Sequence, residues 1–375
     1  FVSLRRFVPH TRMVIERLTI KNYRNYAFAE IFPSKGVNLF IGDNAQGKTN
    51  LLESVRLASV GRSSRTPRWQ ELIKWGEKAA SVNVRVRKDV GSDEVTVRLG
   101  DAKSVAVNGF PVSRIGEMMG VVKTVLFTPD ELAIVKDGPG ERRRFADIAL
   151  CQLSKPYFYA LTRYNKILSQ RNRLLKSNPT DSALEVWDIQ LAREGAGVIK
   201  SRRGFVGRIA SLAEKIHSEI AENEKLEVSY EGMDGVGKEE IEKNFFEMLV
   251  KNRARDKQFC ITHCGPQRDD MAISANGVDL RTYGSQGQQR SAALSLKLAE
   301  MELLKQESGE YPVLLLDDVL SELDHKRQSE LIKKIGAYQT IITCTHLPDD
   351  VRERIGKVTE FEVIGGNVKV RENER

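Results

Sequence analysis

Eight consecutive residues, Gly42-Asp43-Asn44-Ala45-Gln46-Gly47-Lys48-Thr49, carry the strongest chemical signal in the sequence. They fit G-x-x-x-x-G-K-[ST], a loop whose glycines let backbone N–H groups turn inward around phosphate oxygens. In that pattern Lys48 reaches the β- and γ-phosphates of a nucleoside triphosphate and Thr49 holds Mg²⁺. A second constellation lies far downstream, where the apolar run Val313-Leu314-Leu315-Leu316 ends in Asp317-Asp318. A carboxylate at the C-terminal end of a buried strand orients a Mg²⁺ shell, and the next one polarises an attacking water. Asp317 is therefore expected at the metal and Asp318 at the water. A third stretch, Tyr283-Gly284-Ser285-Gln286-Gly287-Gln288-Gln289-Arg290, is a polar glycine loop that opens a helix. Its Ser285, Gly287 and Gln288 would face an anion at the helix N-terminus. Together these stretches predict ATP binding and hydrolysis with Mg²⁺, with Lys48, Asp317, Asp318 and Ser285 as the catalytic set.

The elements that must position these groups are legible around them. Residues 37–41 read as a buried strand and 50–60 as a helix, which is the strand–loop–helix context the phosphate loop requires. Residues 313–316 and 340–344 read as further buried strands. Asp317 nevertheless follows Lys48 by 269 positions (317 − 48), too far for a compact phosphate-loop domain. The Ser285 loop lies 32 positions before Asp317 (317 − 285), where ABC-type ATPases carry their signature loop. In such heads that loop completes the site of a second subunit, so two heads would close on two ATP molecules. The stretch Ser321-Glu322-Leu323-Asp324 occupies the D-loop position, which adds Asp324 to the nucleotide set. The fold class expected is α/β: a split phosphate-loop ABC-type ATPase head with an antiparallel β layer, plus an inserted helical arm domain.

The insertion shows in the periodicity. Between 80 and 127 the chain is strand-rich, with period-two alternation at 81–87 and 94–98 and an Asn108-Gly109 hairpin turn. After Gly138-Pro139-Gly140 it turns helical, with helices expected at 141–151 and 156–176 and a long one at 182–221. The long segment places apolar or small residues at 184, 187, 191, 195, 198, 205, 209, 212 and 216, with Arg202 as the polar exception. Residues 139–221 are read as an antiparallel helical arm. Trp69–Trp75 is expected as a short amphipathic helix, and residues 222–242 as acidic and irregular. The expected domains are 13–137 and 259–375 for the two parts of the head and 138–258 for the arm. Residues 1–12 are read as a tag or extra N-terminal residues outside the fold.

Composition bounds the partners. The chain has 375 residues, a net charge of +8 and a mean hydropathy of −0.38, and its apolar runs are too short for a membrane span. The basic balance suits a polyanion, nucleic acid first. Arg142, Arg143, Arg144, Arg171 and Arg173 lie on the arm, and Arg62 and Arg65 on a hydroxyl-rich loop after the first helix. A solvated face and a DNA-contacting face both explain them. Four cysteines are too sparse for a disulfide framework. Cys260, His263 and Cys264 are close enough in sequence to suggest a metal site, but a second ligand pair with zinc spacing is missing, so the cysteines read as structural or incidental.

These motifs resemble the RecF family of bacterial recombination-mediator ATPases. The resemblance rests on Leu18 to Tyr26, Gly42 to Asn50, Gly61 to Thr66, Phe127 to Leu132, Arg142 to Asp147, Gly265 to Asp270, Tyr283 to Arg290 and Leu314 to Asp324. It implies a cytoplasmic ATPase that dimerises on ATP and binds duplex DNA, gapped DNA or a single-strand–double-strand junction. It further implies slow, DNA-stimulated hydrolysis, RecR and RecO as partners, and help in loading RecA in gap repair. Chromosome-organising SMC-like ATPases share several motifs but have much longer arms. A transporter ATPase subunit would need a membrane partner and would not carry the arm. A small-molecule kinase would not carry the Ser285 loop. Two positions depart from ABC-type patterns: Thr128-Pro129-Asp130 stands where a Q-loop glutamine is often found, and Asp318 where a glutamate is usual. His346, after the last core strand, fits either a switch histidine or an ordinary loop histidine.

Overall fold

A computed structural model describes residues 11–371 except 234, 236, 321 and 322. The chain divides into two compact units, one formed by residues up to 131 together with 297 onward, the other by 132–296.

The first unit holds two six-stranded sheets. One runs in the order Asn367–Val370, Val358–Ile364, Val37–Ile41, Thr340–Cys344, Val313–Asp317, Thr124–Phe127. Its last five strands are mutually parallel, and Asn367–Val370 is antiparallel at the edge. The central strands are uninterrupted apolar runs, as expected of a parallel sheet covered on both faces. The pairing solves the long separation of the two acidic and phosphate motifs. Ile41 aligns with Cys344, and Thr343 with Asp317, so a single strand, Thr340–Cys344, lies between the strand of Asp317 and that of the phosphate loop. Two inter-strand steps of about 4.8 Å replace 269 residues of chain.

The second sheet is antiparallel, ordered Tyr26–Ile31, Val14–Tyr23, Ala80–Arg87, Ser92–Leu99, Ser104–Val107, Phe110–Pro111. Its alternation is visible in Ala80–Arg87, where Val82, Val84 and Val86 are buried. The helix Lys48–Val60 lies in the same core, among Val82, Val84, Val95, Phe40, Leu315 and Ile341. It is buried nearly all round, including Glu53, Ser54, Arg56 and Ser59. These polar groups find partners: Arg56 donates to the Thr124 carbonyl at 2.9 Å and to its hydroxyl at 2.8 Å. Thr11–Arg12 pairs parallel with Glu310–Tyr311, so these two residues belong to the fold, contrary to the expectation from sequence. Residues 1–10 of that expected tag lie outside the described residues. Trp69–Trp75 forms only a single 3₁₀ turn, Trp69–Leu72, with Trp75 exposed beyond it.

The second unit contains the helices Pro139–Leu153, Lys155–Leu175, Asp181–Ile220 and Lys238–Phe259. Pro139 sits at the first helical position. The Ser154 and Thr180 hydroxyls cap the next two helices by accepting from the N–H of Tyr157 and Ala183. The 40-residue helix Asp181–Ile220 extends about 60 Å. It has antiparallel neighbours on both sides. Arg171 pairs with its Asp188 and Arg163 with its Glu194, whereas Lys257 pairs with Asp181 and Arg253 with Asp188. The arm is therefore three helices deep. This widens the buried stripe beyond the heptad positions to Asp188, Ala192, Ala196, Ile199, Val206 and Ala213. The expected irregular segment contains a strand, Leu226–Glu231, which pairs with Asp270–Ala275; that strand pairs in turn with Val278–Asp279. This pairing draws residues 259–296 into the helical unit, although the sequence suggested a return to the head at 259. The helix Gln286–Ser308 runs across the division. Among the described residues no helix is long and apolar enough to cross a membrane.

Candidate nucleotide site

The phosphate loop is shaped by close backbone approaches that exclude larger residues. A Cβ on Gly42 would stand 2.3 Å from the Val363 carbonyl oxygen. Gly47 has φ +115°, and a Cβ there would stand 2.5 Å from Asn25 Nδ2. Asn25 braces the loop by donating to the Gln46 carbonyl at 2.8 Å, and Tyr26 donates to the Gly47 carbonyl at 2.9 Å. The C-terminal hairpin closes the other flank: Gly366 N–H donates to the Gln46 carbonyl and Gly365 N–H to its side-chain oxygen. Lys48 Nζ donates to the carbonyls of Gly42 at 2.6 Å and Asp43 at 2.8 Å, which folds the ammonium back over the loop.

Thr49 and Asp317 come together across the sheet. Thr49 Oγ1 donates to Asp317 Oδ1 at 3.0 Å, and Thr343 Oγ1 donates to the same oxygen at 2.6 Å. Burial pushes the Asp317 carboxyl above the ordinary range, opposed by the Thr343 and Thr49 hydroxyls and reinforced by the neighbouring Asp318. A hydroxyl and a carboxylate oxygen at this spacing form a hard, oxygen-only donor set suited to Mg²⁺. Among the described residues no group of three or more His, Cys, Asp and Glu could hold a metal, so a Mg²⁺ here would complete its shell with water and substrate phosphates, its usual manner of binding. Asp318 has a left-handed backbone, φ +54°, and its N–H donates to the Thr343 carbonyl at 3.0 Å. Asp324 caps the helix His325–Ile335 by accepting from Arg327 N–H at 2.9 Å. Ser321 and Glu322 lie outside the described residues. His346 is exposed just past the strand Thr340–Cys344.

The loop after the first helix is tied to the same region. Ser63 donates to Glu53, and the N–H groups of Arg65 and Thr66 donate to Ser63 Oγ. Arg24 holds the Glu53 carboxylate with two bonds of 2.9 Å. Burial alone would raise the Glu53 pKa, but the Arg24 and Ser63 bonds outweigh it and hold the carboxyl below the ordinary range. Arg65 reaches Asn50 Oδ1 at 2.9 Å, while Arg62 is exposed. Asn25, Glu53, Thr343 and Gly366 are absent from the motif-based set because none belongs to a phosphate motif. Asn25 alone lies in a stretch that carries the family resemblance, Leu18 to Tyr26.

In the second unit, Ser285, Gln288 and the helix Gln286–Ser308 form a reciprocal cap. Gln288 N–H donates to Ser285 Oγ at 3.2 Å and Ser285 N–H donates to Gln288 Oε1 at 3.0 Å. The serine hydroxyl accepts in this cap, which leaves its own proton to donate elsewhere. Gly287 lies in the first turn of that helix.

Two of the proposed DNA contacts are corrected. Arg171 is fully buried, bonding Asp188 and Asp256 at 2.7 Å each and Thr262 at 2.8 Å. Arg142 is buried and grips both carboxylate oxygens of Asp270, at 2.6 and 2.8 Å. Arg143 is half-buried and donates to the Asp269 carbonyl. Burial, with Arg202 nearby, lowers its pKa. Arg171 and Arg142 satisfy buried carboxylates, and a guanidinium so committed cannot reach a phosphate backbone. Arg144 is half-buried and lies 3.9 Å from Glu141, and Arg173 is exposed. The Arg142–Asp147 and Gly265–Asp270 stretches thus form one structural junction, completed by Arg202, which bonds Asp147 and the Pro266 carbonyl. Asp256, a partner of Arg171, also accepts from the His263 N–H, so the histidine serves the Arg171 cluster.

The sequence matches the RecF/RecN/SMC N terminal domain family over residues 14–355. It is 49% identical over 341 residues to DNA replication and repair protein RecF of Alkaliphilus oremlandii (strain OhILAs), covering 89% of this chain and 93% of that one. The solved structure of the recombination mediator protein RecF-ATP in the RecFOR pathway is similar at TM-score 0.90 and 37% identity, over 98% of this chain and 100% of that one. The Smc head domain of Pyrococcus furiosus, with an extended coiled coil and bound to the C-terminal domain of ScpA, shares the fold at TM-score 0.56 and 17% identity, over 96% of each chain.

Proposed function

The chain belongs to the RecF family of DNA replication and repair ATPases, and on that premise we propose that it is an ATP-gated DNA-binding recombination mediator. The observation that carries the reading is the convergence of Lys48, Thr49 and Asp317 at the C-terminal edge of one parallel sheet. It is supported by the full-length likeness to RecF-ATP. Gly42 to Thr49 wrap the triphosphate, with backbone N–H groups and Lys48 countering its charge. Thr49 and Asp317 would hold Mg²⁺, which when bound draws charge from the β- and γ-phosphate oxygens. Asp318 orients the attacking water. Its side chain is one methylene shorter than glutamate, which suits slow turnover. Ser285 and Gly287 of a second copy meet the γ-phosphate, so that two ATP molecules fasten a homodimer and hydrolysis releases it.

DNA binding is assigned to exposed cations, Arg62, Arg65 and Arg173 among the initial candidates, with contacts to the phosphate backbone that are independent of sequence and sensitive to salt. The reading extends to duplex, gapped or junction DNA, a cytoplasmic setting and cooperation with RecR, RecO and RecA, for which family membership is the support. The test is phosphate release with and without duplex and gapped DNA. The parent protein should release phosphate slowly and faster with DNA. Lys48→Ala should lose ATP binding by about a hundred-fold, and Asp318→Asn should keep binding but lose release. Phosphate release by Lys48→Ala at the parental rate would overturn the assignment.

A further inference from the structure

We infer that Glu224 is a positioning residue for the Ser285 loop, and that Glu224 and His217 together lock that loop to the root of the 40-residue helix. The inference rests on the reading of Ser285 as a nucleotide-contacting residue.

The geometry is a chain of side-chain contacts within the second unit. Gln288 is held at both ends of its amide. Its Oε1 accepts from Ser285 N–H at 3.0 Å, and its Nε2 donates to Glu224 Oε1 at 3.1 Å. The other Glu224 oxygen lies 3.4 Å from Nε2 of His217, which is fully buried. The opposite ring nitrogen of His217, Nδ1, lies 3.0 Å from Ser295 Oγ. Ser295 is on the same helix as Gln288, two turns further on. His217 belongs to the last turn of Asp181–Ile220, and Glu224 to the turn just beyond it. The root of the long helix thus grips the signature helix at two points, Gln288 and Ser295.

The grip is itself braced. Asn276, at the turn of the neighbouring hairpin, donates to the Asn223 carbonyl and accepts from Lys225 N–H, fixing the residues on either side of Glu224. Gln289 donates to the Leu280 carbonyl, fixing the other flank of the loop. A reciprocal cap fixes only the rotamers of Ser285 and Gln288 relative to their own helix. The carboxylate of Glu224 fixes that cap relative to a different element, through a charge-assisted bond stronger than a neutral one. A displacement of the long helix root would therefore be carried to Ser285 through Glu224.

The test is ATP-driven dimerisation measured by titration in light scattering, alongside binding of a fluorescent ATP analogue by the monomer. Four proteins are compared: the parent, Glu224→Ala, Glu224→Gln and Ser285→Arg. Glu224→Ala should bind the analogue as the parent does but dimerise roughly ten-fold more weakly. Glu224→Gln can still accept from Gln288, so it should recover most of the parental dimerisation. Parental dimerisation by Glu224→Ala, or equal defects in the Ala and Gln variants, would overturn the inference, as would loss of analogue binding in Glu224→Ala. Ser285→Arg separates the two levels. If it dimerises normally, the reading of Ser285 fails and the inference with it. If it does not dimerise while Glu224→Ala does, only the role of Glu224 fails.

Discussion

Arg171 looked like a member of a basic face, yet it sits at zero exposure between Asp188 and Asp256. Removing one partner of a buried ionic cluster leaves uncompensated charge, at a cost of about 3–5 kcal/mol. Arg171→Met should therefore lower Tm by several degrees in calorimetry without a specific loss of DNA affinity. A stable variant with reduced DNA binding would restore Arg171 to the DNA surface. The cysteines give a second residue-scale test. Burial pushes the Cys264 thiol up to about 12 and the Cys344 thiol to about 11. At pH 8 about one Cys264 in ten thousand would be thiolate. Maleimide should label the half-buried Cys151 and Cys260 first and reach Cys264 and Cys344 only on unfolding; mass spectrometry of labelled peptides reads the order, and early labelling of Cys264 would contradict the packing. At this scale the meeting of the phosphate loop with Asp317 was legible, because the loop has a fixed spacing and Asp317 ends an apolar run that reads as a buried strand. The bracing residues Asn25, Glu53 and Thr343 were not, because their partners lie 21, 10 and 26 positions away and only the fold makes them neighbours.

At the scale of elements, the 40-residue helix carries its own packing instructions. Gly195 is needed where a Cβ would stand 2.4 Å from a ring carbon of Phe245, whereas Gly207 on the same helix faces open space. Gly207→Ala should stabilise by up to about 1 kcal/mol through helix propensity. Gly195→Ala gains the same propensity but pays about 1–3 kcal/mol for overpacking, so its Tm should fall. The reverse order in thermal melts would mean that Lys238–Phe259 does not pack there. The helix bounds were readable from periodicity almost to the residue. Its second neighbour was not, because a heptad stripe describes one seam, and the extra buried positions at Ala192, Ile199 and Val206 register only once a third helix is present. The strand Leu226–Glu231 was missed for a related reason. Its burial alternates weakly beside acidic residues, and its pairing partner lies some 40 residues downstream.

At the scale of the whole molecule, the split of the head was legible from one number, the separation of Lys48 and Asp317, because a phosphate loop and the carboxylate that shares its metal must lie on one sheet. Parallel pairing of Val313–Asp317 with Thr340–Cys344, and of that strand with Val37–Ile41, is the physical form of that requirement. The limits of the inserted part were less legible, since Asp270–Ala275 follows its strand partners and not its position in sequence. What remains is the claim that a phosphate site built on one chain is finished by Ser285 of another. Light scattering with and without ATP, on the parent and on Ser285→Arg, tests it most directly. The parent should be a monomer without ATP and a dimer with it, and Ser285→Arg a monomer under both conditions while still binding ATP. ATP-driven dimerisation of Ser285→Arg at the parental level would contradict it.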